Sequence, residues 1–189
     1  MEIIQEAFIG AVKVLKPKIF GDNRGFFQES YNEKTFHNLG IMENFIQDNH
    51  SFSKECGTLR GLHFQTQPMS QSKIIRVSQG RAMDVIVDIR VGSPTYKEHF
   101  SIELNENNQL QIYIPKGFAH GFCTLSDDCH FIYKVDEYYS VEHNCGIQWN
   151  DPELGIQWPV DNPTLSVQDE NWKPLAQTTH NFFYESCKY

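Results

Sequence analysis

The chain has 189 residues, 40% of them hydrophobic and 21% charged, the proportions of one soluble folded domain spanning 1–189. Sixteen Lys and Arg against 24 Asp and Glu leave a net charge of −8, which excludes a general nucleic-acid binder but not a small anionic ligand held by a few local cations. No apolar run approaches the roughly 18 residues that cross a bilayer, so no membrane partner is expected.

Residues 1–14 carry two Glu and lack both a basic stretch and the apolar run of a secretory signal. Residues 12–15 and 19–20 read as strand segments around a short polar stretch, and 25–31 as a second strand rich in aromatics. Residues 32–39 followed by Gly40 predict one short helix with a glycine stop. Further strands are expected over 45–49, 58–64, 73–78, 82–89, 100–104, 109–114 and 129–135, separated by Asn, Gly, Asp and Pro clusters. In 82–89, Met83, Val85, Val87 and Ile89 alternate with Asp84, Ile86 and Asp88. Many strands with almost no helical periodicity point to an all-β antiparallel sandwich, jelly roll or barrel. From residue 146 the chain turns Trp- and Pro-rich and is expected to wrap the sheet, with a short terminal helix. The core is expected over about 12–172, with a C-terminal tail over 173–189.

Five cysteines, Cys56, Cys123, Cys129, Cys145 and Cys187, are odd in number and form no CxxC pair, the usage of a reduced, cytoplasmic protein. The alternative is a zinc site drawn from His120, Cys123, Cys129, His130, His143 and Cys145, whose spacing matches no common zinc motif.

Four groups of residues carry candidate chemistry. In Leu59-Arg60-Gly61-Leu62-His63-Phe64-Gln65, strand alternation sends Arg60 and His63 to opposite faces, unless a bulge at Gly61 turns both towards one cavity. The run 114–122, IPKGFAHGF, has the Pro-x-Gly-x-x-His spacing of the second cupin motif. The His-x-His pair of metal-binding cupins is missing, because Phe64 and Gln65 follow His63. Two histidines fall short of a metal's ligand set, so no metal is expected. Arg24, Arg60 and Lys73 together suit a phosphate or a developing oxyanion, although each alone reads as a solvated cation. Tyr133 shares a strand face with Phe131 and Val135 and should point inward, either as a structural phenol or as a general acid.

Eight ordered blocks resemble the dTDP-4-dehydrorhamnose 3,5-epimerases: FGDNRGFFQESY, FIQDNHS, LRGLHFQ, SPTY, IPKGFAHGF, YKVDEYY, GIQWNDPELGIQWP and LSVQD, spread from Phe20 through Asp169. The resemblance implies a cupin-type jelly roll with no cofactor or metal, acting as a homodimer on a dTDP-4-keto-6-deoxy sugar, namely 3,5-epimerisation of dTDP-4-dehydro-6-deoxyglucose to dTDP-4-dehydro-L-rhamnose. It implies His63 as the base, Asp169 as the carboxylate behind it, Lys73 beside the enolate, and Tyr133 as the acid on the opposite face. Phe20, Arg24, Phe27, Glu29, Gln47, Asp48, Asn49, Arg60, His120 and Tyr139 would hold the substrate, with Tyr139 stacked on the base. Two positions, Gln168 and Asn144, depart from the usual basic and acidic residues there. The competing readings are a single-site epimerase, a metal-dependent cupin enzyme and a non-catalytic sugar-binding jelly roll.

Overall fold

The computed structural model describes residues 1–184. In chain order its strands are β1 (Glu2–Ala7), β2 (Val12–Lys16), β3 (Ile19–Asp22), β4 (Gly25–Gln28), β5 (Gln47–Ser53), β6 (Leu59–Gln65) and β7 (Lys73–Gln79). There follow β8 (Arg81–Asp88), β9 (His99–Asn105), β10 (Gln111–Ile114), β11 (Phe118–Thr124), β12 (Cys129–Val135) and β13 (Asn144–Gly146). Two short helices, α1 (Glu33–Asn38) and α2 (Val167–Glu170), and a 3-10 turn (Leu175–Gln177) complete the elements.

The strands form a six-stranded sheet, ordered β1-β2-β10-β7-β12-β5, and a five-stranded sheet, ordered β13-β6-β11-β8-β9. Among the described residues the β3/β4 hairpin pairs only with itself. Pairing within both sheets is antiparallel, and many neighbours are distant in sequence, as in a jelly roll. Between the sheets lies an apolar layer to which β7 gives Ile75 and Val77, β8 gives Ile86, β11 gives Phe122 and β12 gives Phe131. Phe122 and Phe131 stack with centroids 3.8 Å apart, joining the two sheets ring to ring.

The five-stranded sheet is covered on its other face too. Leu62, Val85 and Val87 pack there against Ile147, Leu154, Leu175 and Phe182 of the irregular C-terminal segment. The core therefore runs beyond the expected 12–172, taking in Phe8 at one end and Leu175 and Phe182 at the other. Of the expected tail over 173–189, residues 185–189 lie outside the described residues. Strand β1, which the sequence pattern does not announce, extends the six-stranded sheet by pairing with β2, and β11 and β13 are likewise additions. Helix α1 matches its expectation: Asn32 caps it through Thr35 N–H at 3.1 Å, Phe36 is buried, and Gly40 takes the left-handed φ of +79° beyond Leu39.

Candidate active site

A cavity of about 460 Å³ opens between the sheets. Strands β6 and β11 present Arg60, His63, His120 and Phe122 from one wall; β5, β7 and β12 present Ser51, Lys73, Phe131 and Tyr133 from the other. The segment 164–169, with Ser166, Gln168 and Asp169, closes one side.

The β6 wall exists because of a bulge. In the β6–β11 ladder His63 pairs with His120 and Arg60 with Phe122, so two β6 residues, Gly61 and Leu62, stand against Gly121 alone. The extra residue cancels the alternation that would separate Arg60 from His63, and both side chains reach the cavity. Gly61 has φ +115°, and a Cβ there would lie 2.6 Å from Gly121 Cα and 2.7 Å from His120 O. Only glycine fits.

His63 sits with Nε2 2.5 Å from Asp169 Oδ1, the imidazole about one-third exposed and the carboxylate 4% exposed. Asp169 is the third residue of α2. Burial raises its pKa, but hydrogen bonds from His63, Ser166 and the Gly61 N–H, together with the His63 charge, outweigh burial and hold the carboxyl below its ordinary range. On the other side of His63 the Trp172 ring stands edge-on at 6.3 Å, itself seated on Gly146, where a Cβ would fall 2.3 Å from the indole.

A second dyad lies beside the first. His120 Nε2 is 2.8 Å from Asp84 Oδ2, and Asp84 is fully buried on β8. Burial depresses the His120 pKa against the pull of Asp84, and the Lys73 and His63 charges depress it further. Lys73 is pushed down to about 8 by burial, with the Asp84 charge opposing. Burial also raises the Tyr133 phenol, with Arg60 opposing. Arg60 is braced by Ser53 Oγ at 3.3 Å and Phe52 O at 3.0 Å.

His63, Asp169, Lys73, Tyr133, Arg60 and His120 thus meet in one cavity, as the sequence implies. Gln47 and Asn49 bond each other at 2.8 Å and share the inner face of β5 with Ser51. Asp48 does not. Alternation turns it outward to Lys134 at 2.7 Å, beside a separate depression that includes Arg76. Arg24, Phe20 and Phe27 are also displaced. They sit on the β3/β4 hairpin, which pairs with no other strand among the described residues, and Arg24 is closed by Asp22 at 2.5 Å. Within a single chain, Arg60 and Lys73 line the cavity and Arg24 does not. Glu29 is exposed after the hairpin and accepts from Asn32 at 3.1 Å. Tyr139, 57% exposed, lies on a loop pinned by the buried Gln65, which bonds Tyr138 O and Ser140 N.

Asp84, Ser166 and Trp172 are the site residues that the sequence argument does not find. Among the described residues no three His, Cys, Asp or Glu side chains converge to hold a metal, so the zinc set gathers no site there.

Two sheets enclosing a cavity edged by paired histidines make this a cupin-like jelly roll. The comparisons narrow it further. The family model described as dTDP-4-dehydrorhamnose 3,5-epimerase matches residues 6–177. A curated relative of that name from Shigella flexneri is 48% identical over 170 residues, 89% of this chain and 93% of its own. The crystal structure of dTDP-4-dehydrorhamnose 3,5-epimerase from Bacillus anthracis, with TDP and PPi bound, superposes with a TM-score of 0.90 at 51% identity, covering 92% of this chain and 98% of that one. The dTDP-6-deoxy-D-glucose-3,5-epimerase of Legionella pneumophila, in complex with dTDP-4-keto-L-rhamnose, does so at 0.93 and 42% identity, covering 98% and 99%. The chain belongs to the dTDP-4-dehydrorhamnose 3,5-epimerase family and is an isomerase-class enzyme.

Proposed function

We propose that this chain inverts C3 and C5 of dTDP-4-dehydro-6-deoxyglucose, giving dTDP-4-dehydro-L-rhamnose, by proton removal and return through an enolate. Inverting a carbon beside a ketone needs a base and an acid on opposite faces of the ring. The observation that carries the reading is the placement of His63 and Tyr133 on opposite walls of one cavity, with Lys73 between the same sheets.

Asp169 occupies His63 Nε2, which leaves Nδ1 to take the proton from carbon. The buried carboxylate fixes that tautomer and favours the imidazolium as it forms. Lys73, still mostly charged at neutral pH, meets the developing enolate oxygen. Tyr133, its phenol pKa raised by burial, holds its proton until it is delivered to the far face. Arg60, His120, Gln47 and Asn49 hold the sugar and diphosphate, and remote binding of the nucleotide supplies the positioning. Tyr139 stacks on the base. The residues need no cofactor for this chemistry, since the substrate's ketone already acidifies both carbons.

The reading extends to assembly and compartment. The β3/β4 hairpin exposes Phe20, Phe26 and Phe27 by more than half each and carries Arg24 away from its own chain's cavity. In a homodimer the hairpin would bring these groups to the partner's cavity, which supports two copies as the working form. A cytoplasmic setting is supported by the four free cysteines among the described residues.

The test is incubation with dTDP-4-keto-6-deoxyglucose in deuterated water. Deuterium at both C3 and C5, lost in His63→Ala, is expected; label at a single carbon overturns the double inversion.

A further inference from the structure

Ser166 is the N-cap of α2, with extended φ −77° and ψ 157°, and its hydroxyl does two things at once. Its Oγ accepts the Asp169 N–H at 3.1 Å, the usual capping bond, and donates to Asp169 Oδ2 at 2.8 Å. A four-residue helix gains little from a cap, because one turn scarcely repays its nucleation. The second bond is the one that bears on chemistry. Asp169 Oδ1 faces His63 Nε2 and Oδ2 faces Ser166, with the Gly61 N–H as a further donor to the carboxylate.

We infer that Ser166 is a positioning residue for the His63–Asp169 dyad, holding the carboxylate in the one rotation that aligns Oδ1 with the imidazole. Rotation about the Cβ–Cγ bond of aspartate is broad and weakly restrained, so without the Ser166 hydroxyl only the His63 bond and the Gly61 N–H would hold the carboxylate, and its alignment with the imidazole would loosen. The segment that carries Ser166 is itself sewn to the start of β6. Leu59 N–H donates to Thr164 O at 3.0 Å, and Thr164 N–H donates to Gly57 O at 3.0 Å. His63 and Ser166 are thereby fixed to one piece of backbone, and Asp169 spans them. This inference rests on His63 being the base and adds the group that sets the geometry behind it.

The test uses Ser166→Ala, Ser166→Gly and Ser166→Thr in the full chain, with kcat and KM followed across pH. Gly caps helices nearly as well as Ser whereas Ala does not, so the pair separates loss of the hydroxyl from loss of helix stability. Ala and Gly are expected to lower kcat equally, by about tenfold, the low end of the scale seen when groups that orient a metal-bound histidine are removed. KM should hold, and Thr should restore the rate. Wild-type kcat in both variants, a loss confined to Ala, or a loss carried by KM alone overturns the proposal. His63→Ala, run alongside, keeps the two readings apart: if it retains full activity the base assignment fails, whereas a dead His63→Ala beside a normal Ser166→Gly sinks the Ser166 role only.

Discussion

His63 and His120 are direct partners in the β6–β11 ladder, yet each imidazole turns its Nε2 to a different buried carboxylate, Asp169 at 2.5 Å and Asp84 at 2.8 Å. The two pairs are not equivalent. His63 keeps about a third of its side chain open, while His120 is buried and held towards its neutral form. Asp84 also faces the Lys73 charge, and its Oδ1 has no hydrogen-bond partner among the described residues. His63 is thus the more open of the two. His120 belongs to a buried cluster with Asp84 and Lys73, in which burial lowers the Lys73 pKa and the Asp84 charge opposes it.

That cluster has a pH signature. With a pKa of about 8, Lys73 is mostly the ammonium at pH 7 and mostly the neutral amine by about pH 9. If the ammonium stabilises the enolate, kcat/KM should fall along an alkaline limb centred near 8. Asp84→Asn removes the charge that opposes the shift, so the limb should move to lower pH. Lys73→Ala should abolish the limb and lower kcat by about 10²–10³. An unchanged limb in Lys73→Ala would assign it to another group.

Gly61 is the backbone position on which the cavity wall depends. Gly61→Ala meets both a left-handed φ and backbone atoms within 3 Å, and backbone cannot give way as a flexible side chain can. We expect a loss of roughly 3 kcal/mol or more, read as a lower Tm, together with loss of activity as Arg60 and His63 part. A variant that keeps both stability and turnover would mean that the β6 ladder tolerates regular pairing.

Much of this arrangement is legible before any coordinates. The Asn32 cap and Gly40 stop bound the helix, and Gly61 between Arg60 and His63 marks a place where a bulge could form, although position alone reads equally as regular alternation. What alternation cannot say is which faces are covered. In β8 it separates Val85 and Val87 from Asp84 and Ile86, and a strand with one wet face would put the aspartate in water. Here residues 147–182 cover the outer face, so Val85 and Val87 pack outward while Asp84 turns inward to His120. That cover is a contact between distant segments with no local signal. The same holds for the β3/β4 hairpin, whose aromatic sequence fits a pocket wall but whose place relative to the cavity depends on long-range packing.

Tyr133 tests whether the two walls hold separate roles. Tyr133→Phe leaves the dyad intact, so solvent deuterium should still enter the substrate through His63, while completed inversion falls. Proton loss without correct return gives exchange in recovered starting sugar, visible by mass spectrometry and NMR. Normal epimerisation by Tyr133→Phe would transfer the acid role to Tyr139 or to water.

The hairpin supplies the last prediction. Arg24 is exposed at its tip, and the chain's own cavity is lined without it, so a role in binding requires the cavity of a second copy. Arg24→Ala and His63→Ala should then each be impaired as pure proteins. Mixed and allowed to exchange subunits, they form symmetric-type dimers in which one site combines an intact His63 with the partner's intact Arg24. Random pairing of equal amounts makes half the dimers mixed, each with one such site, so roughly a quarter of all sites should recover. Recovery on mixing, with a dimer by light scattering, supports the crossed hairpin. A monomer, or a mixture no more active than its parts, would return Arg24 to the surface role that its ion pair with Asp22 describes.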